Sequence, residues 1–128
     1  MKIEDQVISL ELAKRLKALN LKQESLFYWC QQKDETFFLP MTEVTLAIYD
    51  GKFVKLFSAF TVAELGEMLP HLIGDYVLDQ IKTTDNQYCL LYRNRNNGRH
   101  ITIKHANTEA DARAKMLIYL IENKLITI

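Results

Sequence analysis

Tyr88-Cys89-Leu90-Leu91-Tyr92-Arg93-Asn94-Arg95-Asn96-Asn97-Gly98-Arg99-His100-Ile101-Thr102-Ile103-Lys104-His105 is the stretch that decides the fold. Tyr88 to Arg95 and Arg99 to His105 are rich in β-branched and aromatic residues, and between them stands Asn97-Gly98, a dipeptide that tolerates the positive backbone angles of a type I′ turn. Two strands joined so tightly must run antiparallel. A two-residue turn pairs Arg95 with His100, Arg93 with Thr102 and Leu91 with Lys104, so these side chains share one face. Leu90, Tyr92, Ile101 and Ile103 then point to the core.

The same reading extends upstream. Tyr76 to Lys82 alternates as a strand, and Thr83-Thr84-Asp85-Asn86 is the turn that follows it. Before it, Phe60-Thr61-Val62-Ala63-Glu64-Leu65 specifies a helix start: Thr61 and Glu64 satisfy each other's free amides, and Phe60 packs on Leu65. Pro70 keeps that helix short, and Gly66 weakens its middle. Val44 to Tyr49 and Lys52 to Phe57 flank Asp50-Gly51 and read as another hairpin. Earlier still, the aromatic run Ser25 to Cys30, the polar turn Lys33-Asp34-Glu35 and Thr36 to Leu39 make a first hairpin, with Pro40 ending its second strand or confining it to an edge.

Helices bound the chain. Ile8, Leu12, Leu16 and Leu19 recur at helical spacing, Ser9 caps the start, and Asn20-Leu21 suits a left-handed stop. At the other end Thr108 opens a helix with Glu109 and Asp111 at its positive pole, and Ala110, Ala114, Leu117, Ile118 and Ile121 form its apolar stripe. The expected class is α+β in one domain, residues 1–128: mainly antiparallel sheet built from hairpins, with two longer amphipathic helices and one short helix packed on it.

Composition agrees with a globular domain, at 48% hydrophobic and 25% charged residues over 128 positions. Sixteen basic residues balance sixteen acidic ones, so no overall field draws the molecule to nucleic acid or an anionic membrane. Met1-Lys2-Ile3-Glu4-Asp5 lacks the basic start and apolar run of a secretory signal, and no apolar run reaches the ~18 residues a bilayer span needs. A cytoplasmic location is expected. Cys30 and Cys89 have no paired spacing and read as reduced thiols in or near the core.

Chemistry is sparse. His100 and His105 fall on opposite strand parity and His71 has no partner at ligand spacing, so no metal site is expected. Glycine loops for phosphates or dinucleotides and a nucleophile elbow are missing, and a pairing of Cys30 or Cys89 with a distant histidine has no local motif behind it. We therefore expect no enzyme and no cofactor. Two binding readings remain. Arg93, Arg95, Arg99, Lys104 and His100 lie in a segment, Asn86 to Thr108, free of acidic residues, and would let a basic hairpin replace the counterions of a phosphate backbone. A solvated or charge-protected sheet face is the competing account. The aromatic surplus, with Tyr28 turned outward while Phe27 and Trp29 are buried, and with Phe53 and Phe57 on a hairpin apolar on both faces beside Val44, Leu46 and Ile48, points instead to a protein partner.

Three segments carry a resemblance. Ser9 to Lys17 leading into Lys22 to Trp29, Ser58 to Pro70, and Thr108 to Ile126 together resemble a group of small proteins encoded by phages, prophages and other mobile elements, often in gut Bacteroidetes. No activity, ligand or catalytic residue is established for that group. The resemblance implies context: a small accessory protein in the bacterial cytoplasm, acting by binding a host or phage macromolecule.

Overall fold

The computed structural model describes residues 2–33 and 38–128. A single helical turn, α1 (Ile3–Gln6), leads into α2 (Leu10–Ala18), whose first turn is capped as expected by the Ser9 hydroxyl accepting from the Leu12 amide. Its end is a left-handed stop with Asn20 at φ 66°. Asn20 N–H donates to the Lys17 carbonyl and Leu21 N–H to that of Leu16, which satisfies two free carbonyls and seats Leu21 on the last turn.

The first sheet has three strands in the order β2-β1-β3, all antiparallel: β1 (Tyr28–Gln32), β2 (Phe38–Met41) and β3 (Phe53–Ser58). Residues 34–37, which include the expected turn and the start of the second strand, lie outside the described residues. Pro40 sits within β2 opposite Trp29, on an edge strand, where a missing amide hydrogen is tolerated. The expected hairpin at Asp50-Gly51 is corrected. Its first half is a helix, α3 (Glu43–Ile48), and β3 pairs with β1. The dipeptide does take positive angles, φ 44° and 79°, but joins helix to strand. The β-branched Val44, Thr45 and Ile48 favour extended structure, yet Thr42 accepts from the Thr45 amide at 3.1 Å and nucleates a helix that carries Leu46 over Tyr28, Cys30 and Met41. Tyr28, expected outside, is thereby buried at 6% exposure.

After α4 (Val62–Met68), which has the full reciprocal cap between Thr61 and Glu64, comes the second sheet, β4-β5-β6-β7, formed by β4 (Leu72–Ile73), β5 (Tyr76–Lys82), β6 (Tyr88–Asn94) and β7 (His100–Ala106). The β6–β7 hairpin forms, but in another register. Arg93 pairs with His100, Leu91 with Ile103, Leu90 with Lys104 and Cys89 with His105, with a bulge between Leu91 and Arg93. Only Gly98 in this turn has positive φ. Asn94 caps a longer loop instead, its side-chain oxygen accepting from the Asn96 and Asn97 amides at 2.8 and 3.2 Å. Away from the turn the pairing is one residue off the expected register, and a one-residue slip turns side chains to the other face. Lys104 therefore joins Leu90 on the core side, and Ile103 joins Leu91 on the opposite side.

The last helix, α5 (Glu109–Glu122), is capped by Thr108 and packs against β6 and β7 on one side and α4 and α2 on another. It buries Ala112, Met116 and Leu120 as well as the expected stripe through Ala110, Ala114, Leu117 and Ile118, as a helix enclosed by neighbours must. Asp111 also accepts from the Ser9 amide at 2.7 Å, fixing the start of α2 to α5. Gly66 has a packing reason: a Cβ there would lie 2.2 Å from the Arg113 guanidinium, which crosses α4 to donate to the Val62 carbonyl at 3.1 Å.

Candidate functional site: the open face of the four-stranded sheet

α5 covers only the Leu90 and Tyr92 side of the second sheet, where Ile73, Tyr76, Leu78, Tyr88 and Ile101 also meet the core. Strand alternation sends the intervening residues the other way. Registered across the strands they form three rows: Leu72, Val77, Arg93 and His100; Asp79, Leu91 and Ile103; Ile81, Cys89 and His105. Leu72, Ile81 and Ile103 stand 46%, 51% and 45% exposed, so this side presents apolar side chains to solvent among the charged and polar Arg93, Asp79, His100 and His105.

The structure does not bring the basic residues of the hairpin together on one face. Arg93 Nε contacts Asp79 at 2.7 Å, and Arg95 lies 3.5 Å from Asp75. Both acids come from β5 or the loop before it, which is why a segment free of acids in sequence is not free of them in space. Lys104 is on the far side of the sheet, its ammonium 5.0 Å above the Tyr119 ring. Arg99 and His100 remain exposed at the hairpin end, and among the described residues Arg99 meets no carboxylate.

The aromatic candidates pack against the two cores, Tyr28 buried and Phe53 and Phe57 half-buried. Tyr28 belongs to the small cluster under α3, its hydroxyl accepting from the Ser25 amide at 3.3 Å, with Lys55 4.4 Å above the ring. Phe53 packs on that cluster and edge-on against Tyr49; Phe57 packs on the main core beneath Lys17. Beside them Val44 and Ile48 project from α3 at 72% and 73% exposure.

The bulge also corrects the expected parity of the histidines. His100 and His105 share the open face, two rows apart, and His105 Nδ1 is 2.9 Å from the Gln87 side-chain oxygen. No group of three His, Cys, Asp or Glu residues suited to a metal occurs among the described residues. Cys89 faces His105 across the strands, but no hydrogen bond joins them. Among the described residues no helix is long and apolar enough to cross a membrane.

Part of this face could be read along β5, where Val77 and Ile81 fall on the side opposite Leu78 with the charged Asp79 between them. Compared with protein-family models, with curated proteins and with solved structures, the chain matches none.

Proposed function

We propose that this α+β protein is a non-enzymatic binding module that presents the open face of its four-stranded sheet to a protein partner. One observation carries the reading: Leu72, Ile81 and Ile103 stand about half exposed around Val77, Leu91 and Cys89, and among the described residues no helix lies over them. Apolar residues gathered on one exposed face favour an interaction site over single scattered ones, and here Val77, Leu91 and Cys89 lie between the exposed three, with the Arg93–Asp79 pair set among them. The rim states what the partner needs. Arg99 and His100 at the hairpin end favour acidic groups there, and an apolar element must lie along the Leu91 row. The phage-like resemblance supports a host or phage protein as that partner and the bacterial cytoplasm as its place.

The pairing of Arg93 and Arg95 with Asp79 and Asp75 counts against a nucleic-acid contact through the hairpin. The deciding experiment compares the wild-type chain with an Ile81→Glu/Ile103→Glu variant of unchanged circular dichroism, by affinity capture from bacterial lysate and by light scattering. A discrete protein retained by the wild type and lost by the variant is the expected result. Equal retention by both, or capture of nucleic acid that falls steeply with salt and is lost with the variant, would sink the reading.

A further inference from the structure

A cleft of about 170 Å³ opens where α2, β7 and α5 meet, on the side of the second sheet away from its open face; its lining is Arg15, Lys104, Lys115, Ile118, Tyr119 and Glu122. Three cations from positions far apart in sequence meet there with one carboxylate. Glu122 is held by Arg15 at 3.2 Å, while Lys115 donates to the His105 carbonyl at 3.0 Å and Lys104 stands over the Tyr119 ring. Neither lysine has a carboxylate partner among the described residues, and both are partly withdrawn from solvent, so the cleft holds an excess of positive charge.

Lys104 reaches this cleft because of the β6–β7 register. On the sequence-predicted pairing it would lie opposite Leu91 on the open face; the observed register, with its bulge, sets it opposite Leu90 above α5. Bulges that re-aim a side chain are enriched next to functional sites. The cleft is smaller than the roughly 300 Å³ at which drug-sized ligand pockets begin, so it suits a compact group.

We infer that Lys104, Lys115 and Arg15 form a binding site for a tetrahedral oxyanion, a phosphate group taken free or from a polymer backbone. Point-charge ammonium groups and a guanidinium supply the charge-assisted hydrogen bonds that phosphate oxygens accept. Glu122 is the opposing element: its carboxylate must leave Arg15 for the anion to engage all three cations. The site lies behind the open sheet face and does not depend on the protein-partner reading.

The test is a titration of the full chain, followed by lysine and arginine side-chain and backbone NMR, with inorganic phosphate and separately with a short single-stranded oligonucleotide, at ionic strength matched with chloride. We expect saturable shifts at Lys104, Lys115 and Tyr119. Binding should be weakened about tenfold by Lys104→Gln, as loss of one charge-assisted contact implies, strengthened by Glu122→Gln, and left unchanged by Arg93→Gln. Saturation by phosphate alone identifies a free anion, and tighter saturation by the oligonucleotide, equally sensitive to Glu122→Gln, identifies a polymer. Non-saturating shifts spread over all surface lysines, or saturable binding indifferent to Glu122→Gln and Lys104→Gln, would overturn the assignment.

Discussion

Each sheet carries one cysteine in a strand flanked on both sides, Cys30 in β1 and Cys89 in β6, and the two environments differ in what lies across the sheet. Cys30 is wholly buried between strands and α3, and burial pushes its thiol pKa up against the opposing pull of the Lys55 ammonium. Cys89 sits on the open face, half-buried among neighbours on its own sheet. The strands themselves are alike in apolar content. A six-residue helix, α3, makes the difference, because it closes over the outer face of the first sheet, and among the described residues the second sheet has no counterpart.

The largest expected effect is therefore kinetic. A thiol reagent at neutral pH should modify Cys89 in the native protein, whereas Cys30 should react only through opening of the fold, roughly a thousandfold or more slowly. Mass spectrometry of the labelled peptides separates the two. Equal rates would mean that α3 opens freely and that the two sheets are equivalent.

Stability should divide the sheets in the same way. Trp29 is buried on the inner face of β1 and donates its indole hydrogen to the Ile8 carbonyl at 2.9 Å. Trp29→Ala removes a large core side chain and orphans that carbonyl, with an expected loss of about 3–5 kcal/mol in urea unfolding. Ile81→Thr on the open face should change stability by no more than about 0.5 kcal/mol. A loss near 2 kcal/mol for Ile81→Thr would show that this face is covered in solution, by self-association, and dilution would then lower the midpoint.

The covered side of the second sheet offers two smaller tests. In an otherwise unchanged protein, Gly66→Ala should fail to deliver its helix-propensity gain of about 1 kcal/mol, because the new Cβ displaces Arg113 from the Val62 carbonyl and from Gln80. In an Arg113→Ala background the same change should stabilise by about that amount, and a double-mutant cycle reads the coupling. Tyr92, whose hydroxyl donates to the Pro70 carbonyl at 2.7 Å, has its phenol pKa raised by burial from 10.0 to about 12. A folded-state pKa above the unfolded one contributes stability that is present in full below pH 10 and is lost as pH rises toward 12. Tyr92→Phe should cost about 1 kcal/mol at neutral pH and flatten that alkaline decline.

Much of this architecture was legible because local chemistry decided it. Ser9, Thr61 with Glu64, Thr108 and Asn20 each act on amides or carbonyls within a turn of themselves, so their roles survive folding unchanged. The class, helices over antiparallel sheet, followed from such signals. The errors arose where a distant partner decided. Residues 43–48 carry β-branched side chains, but the apolar surface of Tyr28 and Cys30 required a cover, and Thr42 supplied the cap. Asn97-Gly98 advertises a tight turn, but Asn94 captured the loop amides first and shifted the register of β7. The candidate site suffered most, since one residue of slip moved Lys104 off the open face and Ile103 onto it, and Asp79 from β5 and Asp75 from the loop before it came to face the arginines.

The smallest effect falls on that last point. Arg93 and Asp79 form the only ion pair joining two strands of the open face among the described residues, and their side chains are 52% and 33% exposed. Exposed pairs contribute between about 0.2 and 1 kcal/mol even with good geometry, and salt screens them. A double-mutant cycle through Arg93→Gln and Asp79→Asn should give a coupling in that range that shrinks as sodium chloride is raised. The informative variant is Asp79→Asn alone. It frees Arg93 without adding a positive residue, and if the hairpin were a latent phosphate contact, oligonucleotide binding should appear in this variant and grow steeper with falling salt. If the face is built for a protein, Asp79→Asn should leave oligonucleotide binding unchanged and the apolar rows through Leu91 in place, with partner capture still governed by Ile81 and Ile103.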